Sequence, residues 1–237
     1  VLTIGRQPVL LADLGLGVVK SCLQHAALPD LIYISHNHTD HAGELPPLLA
    51  NIHASGLPST LRRNVKVLAH PQVLERLLTY RLNELNATGK PLTDFATFVE
   101  IPDGPPISIH PDVSIKVLRS RHSELCYGLL VFYRGSPLLG WSADSGYDAA
   151  LYDQLACAPT LLLDARAAGG PEHSSFAEVA AFARKVMSAE PGEGPRVKQV
   201  LVTGYGRQSE APARDADLGG AIVARPGLVI PLSLSRS

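Results

Sequence analysis

Residues 36–41 read His-Asn-His-Thr-Asp-His, which sets three imidazoles and one carboxylate within six positions. His36 and His38 are two apart, so an extended backbone turns both rings to the same side. Asp40 and His41 follow at the turn. Imidazole and carboxylate together suit zinc, manganese or iron rather than calcium or magnesium. One histidine in a loop says little, but four such groups directly after the apolar run Leu31-Ile32-Tyr33-Ile34 point to metal binding. Three further residues have chemical potential: His122 in Arg121–Gly128, Asp144 in Trp141–Gly146 and His173 in Glu172–Ala180. Taken singly, these read as a strand-edge His, a turn Asp and a helix-entry His.

The elements that must position these groups follow from local patterns. Gln7–Asp13 reads as a strand ending at Asp13-Leu14-Gly15, 18–27 as a helix, and Leu31–Ile34 as a short strand covered on both faces. A helix over 46–55 can hold Pro46-Pro47 in its first turn. Its apolar residues and the one before it (Leu45, Leu48, Leu49, Ile52) are read as core-facing, with a homodimer face as the alternative. Val65–Ala69 is a strand and 71–86 a helix. Short strands follow at Phe98–Ile101, Ser114–Leu118 and Leu129–Tyr133, with turns at Asp103–Pro106 and Arg134–Pro137. Thr160–Leu163 is a strand, and Ser175-Phe176-Ala177-Glu178 is a capping box opening a helix to about 187. A surface loop at Glu190–Pro195 precedes strands at Gln199–Thr203 and Leu228–Leu232.

Composition narrows the partners. The chain has 237 residues, 46% hydrophobic and 18% charged, enough for one sizeable α/β core spanning 1–237. Net charge is −1, with no block of like charges, so no broad affinity for nucleic acid or anionic membrane is expected. Cys22, Cys126 and Cys157 lie far apart with no C-x-x-C pair, which predicts free thiols in a reducing, cytoplasmic compartment. The chain starts inside an apolar run, Val1-Leu2-Thr3-Ile4, as it would if a leader had been lost.

The motif H-x-H-x-D-H resembles the signature of the metallo-β-lactamase superfamily. Further matches follow in order: Asp13-Leu14-Gly15, His122 in RHSELCYG, Asp144 in WSADSG and His173 in EHSSFAEVA. The second and fourth are similar to segments of the tRNase Z-like phosphodiesterase branch. The resemblance implies an αββα sandwich of two mixed sheets flanked by helices, with the family's N-terminal strand as a piece this chain can lack. It also implies metal ligands His36, His38, Asp40, His41, His122 and Asp144, with Asp144 bridging two ions. Asp13 would support the site, and Asp40 and His173 would be catalytic, Asp40 orienting a metal-activated hydroxide and His173 assisting the leaving group. The family's last ligand His follows its next-to-last strand, but here Leu201-Val202-Thr203-Gly204 places a glycine there. One zinc or manganese ion is therefore expected to bind firmly, and a second weakly or not at all.

For substrate, the resemblance implies a phosphodiester, with Arg166 or Arg207 as candidate phosphate contacts. Only 21 residues separate His122 from Asp144, leaving no room for the basic, Gly/Pro-rich arm with which tRNA-processing relatives grip their substrate. A small phosphodiester such as a cyclic nucleotide is expected, and structured RNA is not. Two other readings stand beside this one. Gly204 favours a metal-poor homologue that binds a nucleotide or partner without hydrolysis, and the same fold also serves thioester and ester hydrolases.

Overall fold

The apolar run at Leu31–Ile34 lies where parallel pairing on both sides requires it. In the computed structural model, which describes residues 1–25, 28–54, 64–188, 197–206, 211–213 and 216–233, contacts group the chain into two compact units, Val1–Pro102 and Asp103–Ser237. The first holds a five-stranded sheet, β1 (Leu2–Ile4), β2 (Gln7–Ala12), β3 (Leu31–Tyr33), β4 (Lys66–Ala69) and β5 (Thr97–Glu100), in that spatial order. Only β1 and β2 are antiparallel. β3 pairs in parallel with β2 (Leu11↔Ile32) and with β4 (Ile32↔Val67), and Ile32, Tyr33 and Ile34 are buried completely. A strand with parallel neighbours and no wet face has no use for alternation.

Helices α1 (Val18–His25), α2 (Thr39–Ala42), α3 (Leu45–Ala54), α4 (Pro71–Arg76) and α5 (Asn83–Asn86) complete this unit. Leu45, Leu48 and Leu49 of α3 are buried within it, as the core reading of that stripe requires. The helix expected over 71–86 is interrupted. Between α4 and α5, Leu77–Arg81 forms a π-helical turn closed by Leu82 N–H donating to the Leu77 carbonyl at 2.8 Å. A single wide turn of this kind re-aims the side chains that follow it.

The second unit carries seven strands in the order β12-β11-β10-β9-β8-β7-β6. These are β6 (Ile107–His110), β7 (Val113–Arg119), β8 (Tyr127–Tyr133), β9 (Ser136–Trp141), β10 (Thr160–Asp164), β11 (Gln199–Thr203) and β12 (Ile222–Val223). β6 to β9 pair antiparallel, and β9 to β12 pair in parallel. Both sheets are thus mixed, as expected. Helices α6 (Ala149–Leu155) and α7 (Phe176–Met187) bury Tyr152, Leu155, Val179 and Phe182 in one cluster with Leu161, Leu163, Val200 and Val202. No helix among the described residues is long and apolar enough to cross a membrane.

Two further expectations are corrected. The expected strand at Leu228–Leu232 is irregular, and Ile222–Val223 pairs with β11 instead (Leu201↔Ile222). Pro226-Gly227 turns the chain before the run, and Pro231 removes a ladder donor inside it. The turn placed at Arg134–Pro137 is only Arg134-Gly135, at φ 51° and 80°, which is the two-residue turn that matches strand twist. Ser136 and Pro137 therefore open β9, next to a register shift that accommodates the proline. β1, β6 and α6 were not anticipated, and the Glu190–Pro195 loop lies outside the described residues.

The capping box is present. Ser175 Oγ accepts from Glu178 N–H at 3.1 Å, and Glu178 Oε2 accepts from Ser175 N–H at 2.7 Å. Ser175→Ala removes one half of that exchange and is expected to cost about 1 kcal/mol in denaturant unfolding, with α7 still formed by circular dichroism.

Candidate functional site

In the first unit the site begins where β2 and β3 end. Asp13 follows β2 in the left-handed region (φ 61°), a conformation that Asp tolerates better than most residues. Its carboxylate is nearly buried and fully engaged. Oδ1 accepts the Ser35 N–H at 2.8 Å, and Oδ2 accepts the Ser35 hydroxyl at 2.8 Å and His41 Nδ1–H at 2.5 Å. Because the Ser35 hydroxyl gives its proton to Asp13, its oxygen accepts from His36 Nδ1–H at 2.9 Å. Both histidines are thereby held in the tautomer whose lone pair sits on Nε2. One ligand atom from each of Asp13, His36 and His41 lies within 4.8 Å of the others.

The remaining members of the motif gather around these two rings. His38, extended at φ −66° and ψ 150°, begins α2, and its ring centroid is 4.6 Å from that of His36. His41 and His36 are 4.2 Å apart, ring to ring, and His41 Nε2 is 3.7 Å from Asp40 Oδ2. Asp40 presents its side chain to solvent while its backbone closes on Gly15. A Cβ at position 15 would stand 1.7 Å from the Asp40 carbonyl oxygen, so only glycine fits there. Glu44 holds the same corner from behind, its carboxylate accepting the Gly17 and Val19 amides at 2.7 Å at the start of α1.

Arg81, the last residue of the π turn, braces the motif from outside. Its Nε donates to Asn37 Oδ1 at 3.0 Å and its Nη2 to the Asn37 carbonyl at 2.5 Å, with longer contacts to Thr39 Oγ1 at 3.4 Å. Asn37 and Thr39 alternate with the histidines, so this guanidinium fixes the backbone that carries them.

In the second unit Asp144 and Asp164 stand at the ends of β9 and β10, His122 between β7 and β8, and His173 just before α7. His122 Nδ1–H donates to the Glu172 carbonyl at 3.1 Å, which leaves the lone pair on Nε2. Its ring lies 5.3 Å from that of His173. His173 Nδ1 is 2.7 Å from Asp164 Oδ2 and 3.8 Å from Asp144 Oδ2. Asp144 and Asp164 are both buried. Burial pushes the Asp164 carboxyl up to about 6; the hydrogen bond from His173 opposes that rise and the charge of Asp144 adds to it. Arg166 Nη2 stands 3.9 Å from Asp144 Oδ2.

Each sequence-predicted residue of the first unit (His36, His38, Asp40, His41) thus falls in one cluster, and His122, Asp144 and His173 form another in the second. Arg166 lies beside Asp144, while Arg207 is outside the described residues. Asp164 and Arg81 escaped the sequence reading. The signal for Asp164 was present, since Leu161-Leu162-Leu163-Asp164 ends an apolar strand on an acid as Leu10-Leu11-Ala12-Asp13 does. For Arg81, 44 positions from Asn37, no local signal existed. The donor set fits a divalent transition metal: neutral imidazoles with fixed tautomers, carboxylates, and partners that hold each one.

Two outcomes follow. Asp13→Asn loosens the tautomers of His36 and His41, and isothermal titration should show affinity for zinc reduced by about 10- to 100-fold. In protein freed of metal by chelation, the raised Asp164 carboxyl contributes stability that is full below its ordinary value of 3.8 and is lost as pH rises through about 6. Thermal melts between pH 4 and 7 should therefore fall less steeply for Asp164→Asn than for wild type.

Comparison with known proteins agrees with this fold. The family described as Anti-Pycsar protein Apyc1 matches residues 2–189. Ribonuclease Z of Clostridium beijerinckii is 34% identical over 116 residues, 46% of this chain and 33% of the enzyme. The chain thus spans about a third of the length of that curated relative. The metallo-β-lactamase fold protein YhfI from Bacillus subtilis shares the fold at TM-score 0.69 and 16% identity, over 92% of this chain and 85% of YhfI. Zn2+-bound PqqB from Methylobacterium extorquens does so at TM-score 0.68 and 14% identity, over 94% of this chain and 83% of PqqB. With the H-x-H-x-D-H motif on a metallo-β-lactamase fold and a family match across most of its length, the chain belongs to the Anti-Pycsar protein Apyc1 family.

Proposed function

We propose that this protein is a metal-dependent phosphodiesterase acting on a small phosphodiester such as a cyclic nucleotide. The observation that carries this reading is the His173–Asp164 pair, 2.7 Å apart and beside the buried Asp144. A buried carboxylate on Nδ1 fixes the orientation of the ring, which leaves Nε2 as the atom that can hand a proton to a leaving alkoxide. In this reading the first unit offers His36, His38, Asp40 and His41 as metal ligands, and the second offers His122 and Asp144. Zinc or manganese suits the imidazole-rich set, and the zinc named with PqqB is in keeping with it. Such an ion supplies Lewis-acid charge to the phosphoryl oxygens and water ionised near neutral pH.

The chain's own residues do the rest. Asp40, on the open side of the motif, takes the proton of the attacking water. His173 gives its Nε2 proton to the departing alkoxide as the phosphorus–oxygen bond breaks, and Asp164 holds the ring in place through Nδ1. Arg166 offers a guanidinium to a non-bridging oxygen. Ribonuclease Z, the curated relative, acts on RNA by name, which supports phosphodiester chemistry. A small substrate is favoured over RNA because the interval from His122 to Asp144 is taken up by the β8–β9 hairpin with its two-residue turn, and the net charge is −1. Gly204 favours a second reading, in which the site binds nucleotide with little metal and no turnover.

Metal content and hydrolysis measured together decide between them. Purified protein should carry zinc or manganese and hydrolyse both bis(p-nitrophenyl) phosphate and a cyclic nucleotide, with His38→Ala inactive. His173→Ala should lose about 10²- to 10⁴-fold on the cyclic nucleotide and far less on the nitrophenyl ester, whose leaving group needs no proton. Metal below about 0.2 equivalents per chain with no turnover would leave the non-hydrolytic reading standing.

A further inference from the structure

β10 and β11 run in parallel with Asp164 opposite Thr203, so Gly204 leaves the sheet beside the Asp164 side chain. Gly204 has φ +67°, and a Cβ placed on it would lie 1.9 Å from Asp164 Oδ1 and 2.9 Å from its Cγ. The carboxylate therefore occupies the volume that any side chain at 204 would need. Its two oxygens are used unequally. Oδ2 accepts from the Ser145 amide at 3.0 Å and from His173 Nδ1–H at 2.7 Å, whereas Oδ1 is buried and has no hydrogen-bond partner among the described residues. Asp164 is 1% exposed. An unsatisfied carboxylate oxygen at such a position costs free energy until something positive meets it. Close by, Asp144, Asp164 and His173 each offer one ligand atom, all within 4.8 Å of one another.

We infer that Asp164 is a metal ligand that stands in for the donor missing at position 204, holding a divalent cation with Asp144 while its other oxygen orients His173. One oxygen from each of these two carboxylates, with water completing the shell, forms an oxygen-rich site for manganese or zinc. The division of labour between the oxygens explains how one residue serves both the ion and the proton donor: Oδ1 faces the cation and Oδ2 the imidazole. The donor that Gly204 cannot supply is thereby replaced from the neighbouring strand. This inference rests on the metal-dependent reading above.

The test is a binding titration of metal-free protein with Mn2+, followed by electron paramagnetic resonance and by metal analysis, on wild type, Asp164→Asn and Asp144→Asn. Asp164→Asn keeps an acceptor for His173, and its circular dichroism and melting without metal report whether the fold is kept. Wild type should show two classes of bound ion. Asp164→Asn should lose the same class as Asp144→Asn perturbs, with affinity for it reduced by about 100-fold. Gly204→Ala, which drives a methyl group against Oδ1, should weaken that class as well. With Co2+ in place of Mn2+, the visible absorption of that class should shift in Asp164→Asn, a change that a residue acting only through His173 would not produce. Equal stoichiometry, affinity and Co2+ spectrum in wild type and Asp164→Asn would overturn the inference and leave the phosphodiesterase reading intact. A wild type that binds no ion would overturn both.

Discussion

Both clusters depend on one repeated interaction, a carboxylate at the end of an apolar parallel strand that fixes an imidazole through Nδ1. Asp13 does this for His41 after β2, and Asp164 does it for His173 at the end of β10. Each acid is buried and each also accepts a backbone amide, Ser35 for Asp13 and Ser145 for Asp164. Burial would be prohibitive for a lone carboxylate, so these bonds are what allow the acids to be there. In return the histidines are oriented before any ligand arrives, and no reorganisation is required of them.

Sheet topology explains why chemistry collects at these points. Within the first unit β2 to β5 are parallel, so Asp13 and the His36 loop leave the sheet at one shared edge. Within the second, β9, β10 and β11 are parallel, and Asp144, Asp164 and Gly204 leave at the corresponding edge. Carboxyl ends of parallel strands carry loops that need not form hairpins and are free to present side chains. The antiparallel half, β6 to β9, contributes His122 from the connection between β7 and β8 and is otherwise scaffold.

Much of this was legible in the sequence because it is local. The spacing of His36, His38, Asp40 and His41 encodes a shared side directly, and Ser175 with Glu178 announces the helix behind His173. Strands buried between parallel neighbours announced themselves as unbroken apolar runs. Legibility ended where partners are distant or where two features compete. An acid after three leucines looks like any strand-end turn until His173 is folded against it. Gly204 was readable as a lost donor, but not as the space that Asp164 fills, because that relation runs across 40 residues through the β10–β11 pairing. The run Leu228–Leu232 has strand composition, yet its prolines decide against it.

The π turn at Leu77–Arg81 has the character of a single-residue insertion into an otherwise ordinary helix. Excising one residue would let the helix close with α-helical spacing, and everything after it would rotate by about 100° about the axis. Arg81 would then swing off Asn37, although every residue of the metal motif itself remained unchanged. The helix thus acts as an angular gauge for the histidine loop. Its helical phase, rather than its hydrophobicity or its caps, is the property on which the motif's shape relies.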